Sequence, residues 1–229
     1  MAQGLHDGHR DRLRDKYLTN GSDSLETHEL VELLLYYGVP RRDTNELAHN
    51  LLEKYGSISA MFDAPLDPLV SNGLTERCAV LVNLIPVLCR LYYEDRYKTE
   101  QKIITNENVG KILLNKFIGR TEEIVVLMLL DSKCRELFCG VINRGSFSGV
   151  EINLQTIAAM ALRYHATYAI IAHNHPSGTA FPSLSDLHST RMLYYALRAI
   201  GVELDDHFIF SDDDCISFKQ SGCWEEIMQ

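Results

Sequence analysis

The residues best suited to chemistry lie in one stretch, Ile171-Ala172-His173-Asn174-His175-Pro176-Ser177-Gly178-Thr179-Ala180-Phe181-Pro182-Ser183-Leu184-Ser185-Asp186. His173 and His175 are two positions apart. In an extended backbone alternate side chains point the same way, so both imidazoles face one side, whereas a helix would turn them about 200° from each other. Pro176 and Gly178 then end the extended run. Pro182-Ser183 reads as a helix start, which puts Asp186 in the first turn, near enough to fold back over both rings. Two neutral imidazoles and a carboxylate make a three-ligand site of the kind that holds a catalytic zinc with its fourth position open to water. Zinc lowers the pKa of such a water to about 7, so hydroxide is available at neutral pH. Ser183 and Asp186 also have the spacing of a helix cap, a serine N-cap with an acidic third residue. The two roles are compatible on one turn.

These residues need a strand before them and a helix after them, and the flanking pattern predicts both. Residues 168–172 form a short apolar strand, and 184–200 a helix with Leu193, Ala196, Leu197 and Ile200 on one face and Gly201 at its stop. Upstream, the β-branched run at 124–130, the turn residues Asp131-Ser132-Lys133 and the run at 137–142 predict a hairpin. Asn153 suits the N-cap of a helix carrying Leu154, Ile157, Ala158, Ala161 and Leu162. Residues 208–210 and 215–218 read as two last strands. Alternating strands and helices predict an α/β sandwich.

The first 95 residues read as helical. Leu30, Val31, Leu34 and Leu35 recur at helical spacing up to Gly38-Val39-Pro40. Leu47, Ala48, Leu51, Leu52 and Tyr55 form a second helix closed by Gly56, and a third runs from about Thr75 to Tyr93 and must kink or split at Pro86. The polar stretch 94–104 is the candidate linker, followed by a short helix over 110–117. The division drawn is 1–95 helical, 96–106 linker and 107–229 α/β.

Composition narrows the classes. Of 229 residues, 46% are hydrophobic and 23% charged, which excludes a disordered chain. The longest apolar run has seven residues, far below the roughly 18 of a membrane span, and no membrane partner is expected. The N-terminus shows no secretory h-region, and Cys78, Cys89, Cys134, Cys139, Cys215 and Cys223 form no CxxC pair, so free thiols and a cytoplasmic location are expected. A net charge of −9 opposes generic polyanion binding.

The stretch HNHPSGTAFPSLSD resembles the HxHPSGxxxPSxxD signature of RadC-type (UPF0758) proteins, in the JAMM/MPN (JAB) metalloprotease-like superfamily. Thr190-Arg191, the segment at 199–202, Asp206-His207 and the helical stretch 28–57 are similar to the same family, so the resemblance covers residues ~8–220. It implies a JAMM/MPN-type, cytidine-deaminase-like mixed sheet with helices behind a small helical domain. It implies a zinc-dependent hydrolase that cleaves an amide or isopeptide bond of a peptide or protein, with His173, His175 and Asp186 as metal ligands. It also implies a glutamate ahead of the first long strand, matched best by Glu123 with Glu122 as the alternative. A carboxylate there takes a proton from the attacking water and returns it to the leaving amine. Ser183 matches the serine that hydrogen-bonds the developing oxyanion. His207 either orients a ligand from behind or is a buried strand histidine.

The chain departs from the family in two places. A Pro-Arg-Glu run is replaced by Glu151-Ile152-Asn153-Leu154-Gln155. In the N-terminal domain, which resembles a helix-hairpin-helix module, the phosphate-holding GxG reads Gly73-Leu74-Thr75. Residues 1–95 hold nine Lys or Arg against fifteen Asp or Glu, so weak DNA binding is the most this domain promises. The rival function that the resemblance carries is a DNA-associated repair or recombination accessory.

Overall fold

The computed structural model describes residues 8–39, 44–98, 103–145, 154–176, 178–211 and 214–228. It divides into two compact units, residues 1–88 and 89–229.

The first unit is helical: α1 (His9–Asn20), α2 (Thr27–Gly38), α3 (Asn45–Tyr55), α4 (Ile58–Phe62), α5 (Leu66–Ser71) and the opening turns of α6 (Glu76–Lys98). The apolar spacing becomes burial. Val31 and Leu35 of α2 and Leu47, Ala48 and Leu51 of α3 meet Met61, Leu69, Cys78 and Val82 in one core. Caps fix the helix ends. Glu26 and Glu29 form a reciprocal box at the start of α2, and Gly56, at φ 75°, ends α3 by donating its N–H to Leu52 O. Gly38 allows the closest approach, because a Cβ there would lie 2.5 Å from the Cys78 sulfur.

Pro86 does not divide the third predicted helix. It sits inside the single helix α6. A proline removes one ladder amide, and the buried Cys78, Ala79 and Val82 hold the turns before it. Of the stretch read as a linker, 94–98 continue α6, 99–102 lie outside the described residues, and Ile103 pairs with Arg135 in an isolated bridge.

The second unit is a five-stranded mixed sheet with helices. The strands β1 (Ile124–Leu130), β2 (Glu136–Arg144), β3 (Tyr168–Asn174), β4 (Glu203–Phe210) and β5 (Cys215–Ser217) lie in the order β2-β1-β3-β4-β5. Only the β3–β4 pair is parallel. The helices are α7 (Val109–Leu114), α8 (Leu154–Arg163), α9 (Leu184–Ala199), α10 (Phe218–Ser221) and α11 (Cys223–Met228). The predicted N-cap Asn153 lies outside the described residues.

All seven β1 residues are buried, because both faces are covered. Val126, Met128, Ile170, Ala172, Phe208 and Phe210 pack with Val109, Ile112 and Leu113 of α7. Val125, Leu127, Leu129, Ala169 and Ile171 pack with α8 (Ile157, Ala161) and α9 (Leu193, Leu197). Each fully buried apolar side chain contributes about 1.5–3 kcal/mol, so β1 is the best-anchored strand. At the hairpin turn the Asp131 carboxylate accepts the N–H groups of Lys133 and Arg135 at 2.8 and 2.9 Å.

Two strand boundaries differ from the sequence reading. β4 begins at Glu203 rather than 208, since Asp205 and Asp206 hide its alternation. β5 ends at Ser217, where that serine caps α10 by accepting from Gln220 N. All six cysteines are unpaired. No described helix is long and apolar enough to cross a membrane.

Candidate metal centre

β3 delivers the two histidines at its C-terminal end. His173 follows Ala169 and Ile171 in alternation and so faces the α8–α9 side of the sheet. His175, two residues on, is anchored by its N–H to Phe210 O at 2.8 Å. The third group arrives on α9. Ser183 and Asp186 form a capping box there, with Asp186 N–H donating to Ser183 Oγ (3.1 Å) while Ser183 N–H and Oγ–H donate to Asp186 Oδ2 (2.8 and 2.7 Å). The cap fixes the carboxylate, with Oδ1 toward His173 and Oδ2 toward His175.

One ligand atom from each of His173, His175 and Asp186 lies within 4.8 Å of the others. The two Nε2 atoms are 2.9 Å apart, Asp186 Oδ1 is 3.5 Å from His173 Nε2, and Oδ2 is 3.7 Å from His175 Nε2. Ligands at roughly 2.0–2.1 Å from a tetrahedral ion would be about 3.3 Å apart. These closest approaches, the two to Asp186 made through different oxygens, bracket that spacing, so the group could hold a metal ion. The side chains of His173 and Asp186 are 1% and 2% exposed and that of His175 is 19% exposed, so access lies on the His175 side.

Hydrogen bonds fix which nitrogens carry protons. His175 Nδ1 lies 2.8 Å from the Thr179 carbonyl, which only accepts, so Nδ1 carries a proton. His173 Nδ1 lies 2.8 Å from His207 Nε2. Burial pushes the His173 pKa down to about 4, with the Asp186 charge opposing and His175 adding to the shift. Burial also drives His207 well below its ordinary value. Both rings are therefore neutral at physiological pH. Where Nδ1 is the donor on both His173 and His175, the two Nε2 lone pairs face each other across 2.9 Å, an arrangement that a cation between them stabilises.

The two glutamates lie just ahead of β1. Val125 of β1 lies opposite His173. The paired residues end there, so Glu123 lies ahead of the ladder, at the N-terminal edge of β1. The Glu122 carboxylate pairs with Arg144. The segment is pinned on both sides. Asn174 Oδ1 accepts Ile124 N–H at 2.8 Å, Asn174 Nδ2 donates to Glu122 O at 3.1 Å, and Gly145 N–H donates to Glu123 O at 2.7 Å.

Asn174 is one residue that sequence reasoning missed. Alternation puts it on the face away from the imidazoles, where it reads as a spacer. Its burial in a strand of apolar residues was the available signal. His207 is the buried strand histidine of the two alternatives, and its Nε2 lies 2.8 Å from His173 Nδ1. Asp206 points elsewhere, and its carboxylate accepts from Ser217 Oγ (2.5 Å), Lys219 N (3.2 Å) and His207 N (2.7 Å).

Comparison with known proteins matches this architecture piece by piece. A family described as RadC-like JAB domain matches residues 103–223, and one described as UPF0758 N-terminal matches residues 8–80. A UPF0758 protein of Burkholderia thailandensis is 35% identical over 218 residues, covering 93% of this chain and 82% of its own length. A UPF0758 protein of Fusobacterium nucleatum is 32% identical over 235 residues, covering 97% and 99%. One of Paraburkholderia xenovorans is 32% identical over 213 residues, covering 93% and 84%. A JAB domain is consistent with a hydrolase.

Proposed function

The chain belongs to the RadC-type UPF0758 family, and from that membership and the three-donor cluster we propose that it is a zinc-dependent hydrolase of the JAMM type, cleaving an amide or isopeptide bond in a peptide or protein. The observation that carries this reading is the convergence of His173 Nε2, His175 Nε2 and the Asp186 carboxylate within metal-ligand spacing of one another. His173, His175 and Asp186 hold Zn2+ in this account. When bound, zinc supplies Lewis acidity toward the scissile carbonyl and acidifies water enough to give hydroxide near neutral pH.

The chain's own groups do the rest. Glu123, just ahead of β1, takes the proton from the attacking water and returns it to the leaving amine. Ser183 holds Asp186 in place through its N–H and hydroxyl. Oxyanion support by Ser183 requires its hydroxyl proton to turn away from Asp186 Oδ2, which keeps the Ser183 N–H when that happens. The protein works in the cytoplasm in this reading. Removing metal with a chelator is expected to abolish hydrolysis across a panel of peptide and isopeptide amides, and one equivalent of zinc to restore it. Turnover that persists in metal-free protein would contradict the proposal.

A DNA-associated accessory role is the second reading, favoured by the α5–α6 hairpin turning at Gly73, φ 99°. The acidic balance of residues 1–95 opposes it, and only weak binding that falls steeply with salt is expected.

A further inference from the structure

Two residues behind the site, Thr190 and His207, are fully buried and hydrogen-bonded to each other, yet neither is among the three metal donors. Their placement depends on a break in strand regularity. Leu204 of β4 faces the α8–α9 side, and strict alternation would turn His207, three residues on, to the opposite face. The β3–β4 register shifts by one residue between Ala169 and Ile170, so that Ala169 pairs with Leu204 but Ile170 with Asp206 and Ile171 with His207. This bulge returns His207 to the metal face, where its Nε2 meets His173 Nδ1 at 2.8 Å.

Thr190 comes from the other side. It lies one helical turn after Asp186 on α9, and its hydroxyl donates to the Asp186 carbonyl at 2.5 Å. The same oxygen is 2.7 Å from His207 Nδ1. A hydroxyl has one proton, and here the carbonyl takes it, so the oxygen accepts from His207 Nδ1–H. His207 Nε2 is then a lone pair and accepts from His173 Nδ1–H. His173 in turn presents Nε2 as a lone pair.

We propose that Thr190 and His207 are positioning residues that set the tautomer of His173 for metal capture and join two of the three ligands, His173 and Asp186, through one hydrogen-bond chain. The inference rests on the metal-binding reading above. Its core is directional. If Thr190 loses its hydroxyl, His207 Nδ1 has no acceptor there, and the ring can move its proton to Nε2. That proton then points at His173 Nδ1, which must become the acceptor, and the His173 proton moves to Nε2, where it blocks the metal. If Thr190 merely fills space, valine replaces it without consequence, because the two side chains have nearly the same shape.

The test measures zinc affinity by competition with a chromophoric chelator, together with the visible spectrum of the Co2+-loaded protein, in wild type, Thr190→Val, Thr190→Ser, His207→Leu and His207→Gln. Thr190→Val and His207→Leu are expected to weaken zinc binding by about 10–100-fold and to alter the cobalt spectrum. Thr190→Ser keeps the hydroxyl and should restore near-wild-type behaviour. His207→Gln, whose amide can accept from His173 and donate to Thr190, should recover more affinity than His207→Leu. Wild-type affinity and spectrum in Thr190→Val would overturn the positioning role while leaving the metal site standing. Equal zinc binding by wild type and His173→Ala would instead remove the metal reading itself. Should Thr190→Val not fold, the contrast between His207→Gln and His207→Leu decides, and equal affinities in those two would overturn the proposal.

Discussion

Alanine at both His173 and His175 is expected to leave the protein with no stoichiometric zinc, against about one equivalent in the wild type, when both are desalted and assayed by elemental analysis. The double variant keeps only the Asp186 carboxylate, and one carboxylate does not hold zinc against dilution. The loss is not expected to come from unfolding. His173 sits at the end of β3, whose core contacts are made by Ala169, Ile170, Ile171 and Ala172, and the Ser183–Asp186 cap is independent of both rings. Far-UV circular dichroism should therefore be close to that of the wild type. Unchanged zinc content in the folded double variant would rule the site out.

The second large effect falls on the glutamate. Glu123→Gln is expected to retain zinc yet lose roughly 10²–10⁴-fold in kcat on whichever amide the wild type cleaves, because the amide side chain cannot take a proton from the attacking water. Glu122→Gln is the matched control. It removes an ion pair with Arg144 whose two side chains are 48% and 65% exposed, so the cost in stability is at most about 1 kcal/mol and the rate should hardly change. Kinetics and zinc content measured together separate the outcomes. A Glu123→Gln enzyme as fast as the wild type would remove Glu123 from the mechanism, and a collapse confined to Glu122→Gln would assign the proton transfer to its neighbour.

The site was more legible in the sequence than the scaffold behind it, for physical reasons. His173 and His175 announce themselves because a strand repeats every two residues, and Asp186 because a helix start has its own chemistry. Each signal is local. The partners of those residues are not local. His207 lies 34 residues from His173, and only parallel pairing plus a one-residue bulge brings them into contact. Thr190 looks like any helix residue until β4 is laid beside it. Asn174 is placed by alternation on the face away from the imidazoles, and its service to Ile124 and Glu122 depends on how β1 and β3 pair. In β4 the run Glu203-Leu204-Asp205-Asp206 reads as a loop by composition, yet backbone pairing to β3 and the bonds that satisfy the buried Asp206 carboxylate make it strand. At Pro86 local propensity requires a kink or a split, and the buried residues just before it allow one undivided helix.

Diffraction from zinc-loaded crystals on either side of the zinc absorption edge tests the central claim most directly. The account predicts a single strong anomalous peak about 2.0–2.2 Å from His173 Nε2, His175 Nε2 and an Asp186 carboxylate oxygen, with a water completing the set on the side of Glu123. A peak elsewhere in the molecule, or a zinc-saturated crystal in which those three side chains bind none, would contradict it.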